Sequence, residues 1–498
     1  MMLRPFDAVP SDSGAILAAM FPQSAHHETH MSHVFVAGDE AYKVKKAVRL
    51  PFLDLRDIEE RHRCCLMEVA ANRRFARQLY LGVEPLTASG DGWRLGGEGE
   101  VVDWVVRMRA FGPGDRLDEL TRRGAVADEE LRQLVDDIFS VQEACGPLPE
   151  ARWDERVLST LADCAEALVG AVSGSDERER VRLWETTCRA SLRKQAGLLR
   201  LRGEAGHVRS CHGDLHAGNV CRLDGRLTPY DALEFSPDLA RIDRLYDLAF
   251  LIMDLCHLGA TGQANLVMNR FLGLSGDYEA AVLIAPYMSL RAAIRAMARL
   301  MGGDAAAGHA YLDTALAALR GAEEPLRLLI GGRSGSGKTT LARRLAGEVA
   351  PPPGAVHIRS DVVRKRLAGE MPEAPLPPAA YTAGAANAVY SRVEKAFDTL
   401  AGTVPVIADA TFSGRGEGII GPCLTRVWLT AEEAVLAKRL GKRGKDASDA
   451  DAAVMRSQPA ALPGEDWQVV RTDGGEAEAL ASLRRAIGPG AYRLQASS

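Results

Sequence analysis

The chain has 498 residues, 47% of them hydrophobic and 26% charged, with a formal net charge of −5. That length exceeds what one core organises, so two or three domains are expected, and a pI near 6.2 without a concentrated basic run argues against nucleic acid or an anionic membrane as partner. Nine cysteines without a Cys-x-x-Cys spacing argue against zinc sites and for a reducing, cytosolic setting.

The first residues lack the apolar core of a signal peptide, and the most apolar later stretch, Leu245 to Leu258, is short and broken by Asp247 and Asp254. In chain order, Val34-Phe35-Val36 and Tyr42-Lys43-Val44 flank Ala37-Gly38-Asp39-Glu40 and predict a hairpin. Asp54 to Leu79 is charged and helix-favouring, ending before Gly82. Val101 to Arg109 is β-rich and runs into Phe111-Gly112-Pro113-Gly114, a turn or hinge. Asp115 to Leu201 is helical in pattern, a loop and hairpin occupy Ser210 to Asp231, and helices run from Leu239 to about Arg320. This order predicts a small β-rich lobe on a larger helical lobe over residues 1–320.

Gly321 to Pro325 reads as a linker. Leu326 to Gly331 is a buried-strand pattern, and strand and helix signals then alternate to about Ile487, as in a parallel α/β domain over 325–488. Lys442 to Asp451 is polar and glycine-containing, the composition of a mobile lid, and residues 489–498 form a tail. No internal repeat is present.

The first candidate site is His212-Gly-Asp214-Leu-His-Ala-Gly-Asn219 followed by Asp231. Val220 to Leu223 and Arg226 to Tyr230 are strand-like runs joined by Asp224-Gly225, a dipeptide that favours a type I′ turn. Counting outward, residue 219 faces 230 and residue 218 faces 231, so Asn219 and Asp231 meet at the open end, where opposed Cα atoms lie roughly 4.5–5.5 Å apart. An amide oxygen and a carboxylate at that spacing suit Mg²⁺, which takes hard oxygen ligands. Asp214, on the loop entering the hairpin, is placed to accept the proton of a substrate hydroxyl.

At this point the chain resembles the aminoglycoside phosphotransferase and choline-kinase-like family, over about residues 25 to 320. The resemblance implies a protein-kinase-like bilobal fold, with Asp214 as catalytic base, Asn219 and Asp231 as magnesium ligands and His212 supporting the loop. The run Asp243-Arg-Leu-Tyr-Asp247-Leu-Ala249 looks like the family's Asp-(Ile/Leu)-Ala helix, in which Asp247 braces the catalytic loop. It also implies a strand lysine for the phosphates and a helix glutamate to hold it. Lys43 and Glu68 are the candidates, with Lys45 on the same strand face leaving the register open.

The second candidate site is Gly332-Arg-Ser334-Gly335-Ser336-Gly337-Lys338-Thr339, between an apolar strand and a helix opening at Thr340. That context is the one a P-loop requires: a nest of backbone N–H groups at a helix N-terminus, Lys338 for the β/γ-phosphates and the Thr339 hydroxyl for magnesium. Asp361, beyond the strand Ala355-Val-His-Ile358, is placed as a base for an acceptor hydroxyl, with Arg364 one turn on for an acceptor anion. Asp409 closes a third strand and suits the magnesium water shell; Arg439 and Arg443 flank the lid and suit charge on a transferring phosphoryl group.

This half resembles small P-loop kinases of the gluconate-kinase, zeta-toxin and polynucleotide-kinase type. It departs from them between Thr411 and Val427, where four glycines and a proline replace an arginine-rich helix. The order of the halves resembles a bacterial two-domain family labelled bifunctional aminoglycoside phosphotransferase/ATP-binding protein. The expected activity is a cytosolic, Mg-ATP-dependent phosphotransferase acting on a hydroxyl of a polar metabolite. Aminoglycosides are disfavoured as acceptors, since Glu234 and Asp238 are the only nearby acidic candidates. The rival expectation is a nucleotide-sensing regulatory protein whose first domain binds a partner. ATP against GTP, the acceptor and the oligomeric state stay open.

Overall fold

The computed structural model describes residues 12–50, 53–89, 92–234, 237–322, 324–412, 424–442, 446–460, 462 and 464–488. Two compact units emerge: Met1–Pro149 with Gly206–Asp247, and Glu150–Ala205 with Leu248–Ser498.

The first unit is built on an antiparallel sheet of six strands: β1 (Ala25–Glu28), β2 (Ser32–Ala37), β3 (Glu40–Lys45), β4 (Tyr80–Ser89), β5 (Gly92–Leu95) and β6 (Glu100–Arg109). They lie in the order β1-β2-β3-β6-β4-β5. The expected hairpin is β2–β3, with Val34 opposite Lys43 and Gly38 in the left-handed region at φ +62°. Helix α1 (Ile58–Asn72) starts where Asp57 caps the Glu59 N–H, and it is shorter than its charged sequence suggested. Its Cys65 and Val69 pack with Leu79, Tyr80 and Val106. Strands β4 and β5 were not foreseen: Gly82 and Pro85 interrupt the alternation, and the β4–β6 register shifts twice.

Helix α2 (Asp128–Ala144) follows, and two further short ladders lie after it. Val208–Ser210 (β7) pairs with Arg241–Asp243 (β10), and Val220–Leu223 (β8) with Arg226–Pro229 (β9). Between β8 and β9, Asp224 and Gly225 both have positive φ, 50° and 76°, as a type I′ turn demands. Helix α3 (Arg244–His257) begins in this unit.

The second unit combines helices, among them Trp153–Ala171, Ser175–Lys194, α4 (Thr261–Ser275) and α5 (Ile284–Met301), with a parallel five-stranded sheet. That sheet holds β11 (Arg327–Gly332), β12 (Val356–Arg359), β13 (Val406–Asp409), β14 (Leu424–Thr430) and β15 (Gln468–Arg471), ordered β12-β13-β11-β14-β15. Helices α6 (Lys338–Glu348), α7 (Ser360–Leu367), α8 (Ala383–Leu400), α9 (Ala452–Ser457) and α10 (Glu476–Ile487) accompany it. Leu328, Ile330, Leu341, Leu345, Leu429 and Leu483 form its core.

Edge strand β12 is covered by α4. Asn265 Nδ2 donates to Pro353 O and Ala355 O (both 3.0 Å), while Asn269 donates to Ala355 O (3.1 Å) and accepts the His357 N–H (2.7 Å). Spaced four apart, the two amides stand on one helix face and supply the bonds a neighbouring strand would have supplied. Among the described residues one helical stretch, Tyr278–Met301, is long and apolar enough to cross a membrane, and 72% of its most apolar window is buried inside the protein. The glycine-rich departure lies mostly in residues 413–423, outside the described residues. The described part of the expected lid is tied down: Asp449 accepts bonds from Lys365, Tyr381 and the Leu376 N–H.

Candidate functional site

The first site gathers on β3, α1 and the loop around β8 and β9. Strand alternation points Lys43 and Lys45 to one side, and both reach Glu68, which is fully buried on α1. Lys43 Nζ lies 2.8 Å from Glu68 Oε1 and 2.9 Å from Asp231 Oδ1. Lys45 Nζ lies 2.7 Å from Glu68 Oε2 and 3.0 Å from Glu234 Oε1. Burial opposes charge on Lys43, yet Asp231, Glu68 and Glu234 outweigh it and hold the ammonium well above the ordinary lysine range. Burial likewise opposes charge on Glu68, but the two ammoniums hold its carboxyl below the usual range. Glu234, buried and facing Glu68, is pushed up. As Lys45's partner, Glu234 is not available to the acidic acceptor pocket for which its position had suggested it.

The loop before β8 is braced from below. Asp247, fully buried, accepts the Gly213 N–H (2.8 Å), the His212 N–H (3.1 Å) and Gln142 Nε2–H (3.2 Å). His212 is also buried, its Nε2 3.0 Å from Tyr230 O, and burial first of all holds its imidazole below the usual range. Gly213 turns at φ +85°, where a Cβ would stand 2.7 Å from Leu233 Cδ1. The loop thereby delivers Asp214, whose backbone oxygen and Oδ2 accept the Asn219 amide at 3.0 and 2.9 Å.

Both of those bonds use the Asn219 NH₂ group, so its amide oxygen is the atom left to meet a cation. The register has Val220 opposite Pro229, and the Tyr230 N–H donates to Asn219 O (2.9 Å), as counted from the turn. Asp231 sits in the left-handed region at φ +60°, its N–H on Tyr80 Oη (3.2 Å), and its side chain is 45% exposed. A non-glycine residue held there stores about 1–3 kcal/mol of strain, which is found where geometry is imposed for function. An amide oxygen and an accessible carboxylate are hard donors and fit Mg²⁺.

The second site surrounds the turn from β11 into α6. Gly332, Gly335 and Gly337 have φ of +142°, +83° and +91°. A Cβ on Gly332 would come within 2.4 Å of Leu429 O, and one on Gly335 within 2.8 Å of Leu436 O. The Ser336 hydroxyl is buried without a hydrogen-bond partner, as expected of a loop built around an absent polar group. Lys338 Nζ bonds Arg333 O across the loop (3.0 Å), Thr339 is half-buried and Thr340 is exposed. Gln458 holds Ser334 at two points, accepting its N–H (2.7 Å) and donating to its hydroxyl (3.0 Å). An N–H nest opening an eleven-residue helix fits a phosphate chain.

Asp409, at the end of β13, lies 2.7 Å from His357 Nε2. Burial works against its charge, but His357, Arg359 and Lys338 hold its carboxyl at about 2. Burial pushes the Asp361 carboxyl up, with Arg359 pulling the other way and Asp409 adding to the rise. Arg364 donates to Ala380 O (2.8 Å) and lies over the Tyr381 ring. Arg439 is engaged by the Thr472 hydroxyl (3.1 Å) and by Thr472 O and Gly474 O, a backbone-tethering role in place of an open one. Arg443 lies outside the described residues.

Sequence reasoning missed Arg359, Gln458, Gln142 and the Lys45–Glu234 pair. Only the same-face placement of Lys45 signalled any of them in advance.

Together the sites define a kinase-like domain joined to a P-loop domain. Residues 328–463 match the family model described as an AAA domain. The chain is 32% identical over 357 residues to the uncharacterised proteins Rv2004c of Mycobacterium tuberculosis (strain ATCC 25618 / H37Rv) and Mb2027c of Mycobacterium bovis, spanning 68% of this chain and 68% of each relative. Solved structures similar to it include a thermostable mutant of aminoglycoside phosphotransferase APH(4)-Ia in ternary complex with AMP-PNP and hygromycin B. That match has 15% identity and a TM-score of 0.40, over 62% of this chain and 98% of that one. A glucosamine kinase in complex with glucosamine, ADP and inorganic phosphate matches at 14% identity and TM-score 0.38, over 58% of this chain and 78% of that one. The chain belongs to the family of these mycobacterial proteins, and its residues 328–463 carry an AAA-type domain around the P-loop.

Proposed function

We propose that the protein is a cytosolic phosphotransferase that moves the γ-phosphoryl group of ATP to a hydroxyl of a polar metabolite, with one kinase-type site in residues 1–320 and a second in 325–488. The observation that carries the reading is the first loop. Its Asp214 carboxylate is held by Asn219, braced through Gly213 by buried Asp247, and followed across a tight hairpin by the strained, accessible Asp231. When bound, Mg-ATP supplies the transferable group and neutralises charge on the phosphates. Asp214 takes the proton of the acceptor hydroxyl, and Asn219 fixes the orientation of its carboxylate. Asn219 and Asp231 are the residues to hold magnesium. Lys43, kept charged by Glu68, turns to the α/β-phosphates as Asp231 gives up its bond to the ammonium.

In the second site Gly332, Ser334, Gly335, Ser336, Gly337, Lys338, Thr339 and Thr340 form the phosphate cradle, with Thr339 and Asp409 toward magnesium. The raised carboxyl of Asp361 suits a base, because a base is most effective with its pKa brought nearer the working pH. Arg364 stays the candidate for an acceptor anion. The test is a metabolite-pool screen with Mg-ATP, reading mass-shifted products from the wild type, Asp214→Asn and Asp361→Asn. Each substitution abolishes its own phosphorylated product and leaves nucleotide binding intact. Products unchanged in both variants would take the catalytic role from Asp214 and Asp361, and a wild type that binds nucleotide but yields no mass-shifted product would favour the regulatory, nucleotide-sensing reading instead.

A further inference from the structure

The hairpin β1–β2 carries chemistry that the two nucleotide sites do not use. Its sequence, His26-His-Glu28-Thr-His-Met-Ser-His33, places three ligand-bearing side chains on one sheet face. His26 and Glu28 alternate to the same side of β1, and Glu28 stands directly opposite His33. His26 Nε2 lies 3.0 Å from His33 Nδ1, and one ligand atom from each of His26, Glu28 and His33 falls within 4.8 Å of the others. Around a tetrahedral Zn²⁺, with bonds near 2.0–2.2 Å, ligand atoms stand about 3.3 Å apart. We propose that these three residues form a site for one transition-metal dication of the zinc class.

The rings are held in place by their neighbours. His26 stacks on Phe35, its cross-strand partner, with ring centroids 4.5 Å apart and planes 6° from parallel. His33 is only 12% exposed, and a Cβ on Gly14 would lie 2.5 Å from its Cδ2, so glycine there admits the ring. Asp12, fixed by accepting the Gly14 N–H, presents its other oxygen 3.8 Å from His33 Nε2. A carboxylate on that side, once drawn in to hydrogen-bond distance, would hold the N–H there and leave the opposite nitrogen for the metal, the arrangement that orients metal-bound histidines. Metal entry displaces the proton shared between His26 and His33, and the neutral ring that carried it takes up an N–H on its nitrogen facing away from the metal, so both rings stay neutral.

One cation already competes. Lys46 Nζ is bonded to Glu28 Oε1 and to Thr29 O (2.7 Å), so the ion must displace an ammonium. The pieces joined are β1, the outer strand of its sheet, and β2, which leads into the strand of Lys43. Bound metal therefore staples an edge strand, and it raises the unfolding temperature of the full chain by mass action.

The experiment is calorimetric titration of metal-stripped full-length protein with Zn²⁺ in excess Mg²⁺, repeated by Co²⁺ absorption, with a thermal-shift series alongside. The wild type takes up one Zn²⁺ that Mg²⁺ does not displace. His26→Ala and His33→Ala lose that equivalent, Asp12→Asn weakens it about 10-fold, and Lys46→Met tightens it. Lys46→Met guards against misfolding, because a damaged hairpin would not bind more strongly. An isotherm unchanged by His33→Ala, or a Lys46→Met variant that binds no more tightly, overturns the site whatever the phosphotransfer assays show.

Discussion

Asp247→Asn changes one oxygen to NH₂ at almost constant volume. In the wild type the carboxylate accepts two consecutive backbone N–H groups, at 2.8 and 3.1 Å, and the Gln142 amide at 3.2 Å. The variant's amide oxygen can keep one N–H, while the other meets a donor in a site closed to water. A hydrogen bond to a charged group contributes about 1.5–3 kcal/mol, and leaving a buried donor unpaired costs about 1–3 kcal/mol. A loss of about 3 kcal/mol in the stability of the loop is therefore expected, roughly 10²-fold in its local opening equilibrium at 1.4 kcal/mol per decade. Hydrogen-exchange mass spectrometry of the full chain checks this. Amides of residues 211–215 exchange roughly 10²-fold faster, while β3 is unchanged, and the Asp214-dependent product falls in parallel. Unaltered exchange at 211–215 would refute the claim that Asp247 holds the loop.

Lys45→Met strands Glu68 and Glu234 with one ammonium between them and destabilises the first unit by about 3–5 kcal/mol, the cost of breaking a buried pair. Lys45→Met with Glu234→Gln recovers part of this in a double-mutant cycle read by chemical denaturation; additive losses would deny the coupling. His212 has a folded pKa below its unfolded value, so the unfolded chain binds more protons, and stability is full above about pH 6.5 and declines as pH falls below it. Thermal unfolding between pH 7.5 and 5.5 reads the slope, which flattens in His212→Gln. Burial pushes the Cys65 and Cys164 thiols up to about 12, so neither is alkylated by iodoacetamide at pH 8 without unfolding; rapid labelling would contradict their packing.

What could be read in advance divides by the range of the interaction. The Asp224-Gly225 turn was legible because a type I′ turn is a local demand on two residues, and it fixed the facing of 219 and 230 without tertiary information. The P-loop was legible for the same reason, its glycines answering to positive φ and to the nearness of Leu429 O and Leu436 O. Lys45 with Glu234, 189 residues apart, was not: only the folded chain shows that both lysines share Glu68. Arg439 was read as a phosphate ligand from its place near a lid, and its bonds to the carbonyls of Thr472 and Gly474 were not legible, since those residues lie 33 and 35 positions away. Strand β4 was hidden by its own register shifts.

Edge strand β12 decides how the second site must be studied. A fragment beginning at 325 would lose α4, and with it the bonds to Pro353 O, Ala355 O and the His357 N–H. It would also lose the Arg270–Glu373 and Arg392–Glu279 ion pairs. The exposed edge would then offer unpaired backbone groups to a second copy, the usual route to edge-to-edge association. His357 stands on that edge and carries Asp409, so fraying of β12 would disturb the carboxylate expected beside the phosphate loop. A dead fragment would thus report a stripped edge as readily as a missing activity. In the intact chain Asn269→Leu separates the two. Loss of its two bonds to the 355–357 backbone at about 1 kcal/mol each, beside the one to Asn265 Oδ1 within α4, with a buried N–H left unpaired, gives roughly 2–4 kcal/mol at that edge. Exchange at 355–358 accelerates, and nucleotide affinity at the second site falls while that of the first does not. Equal losses at both sites would show that α4 acts on the whole protein and not through β12.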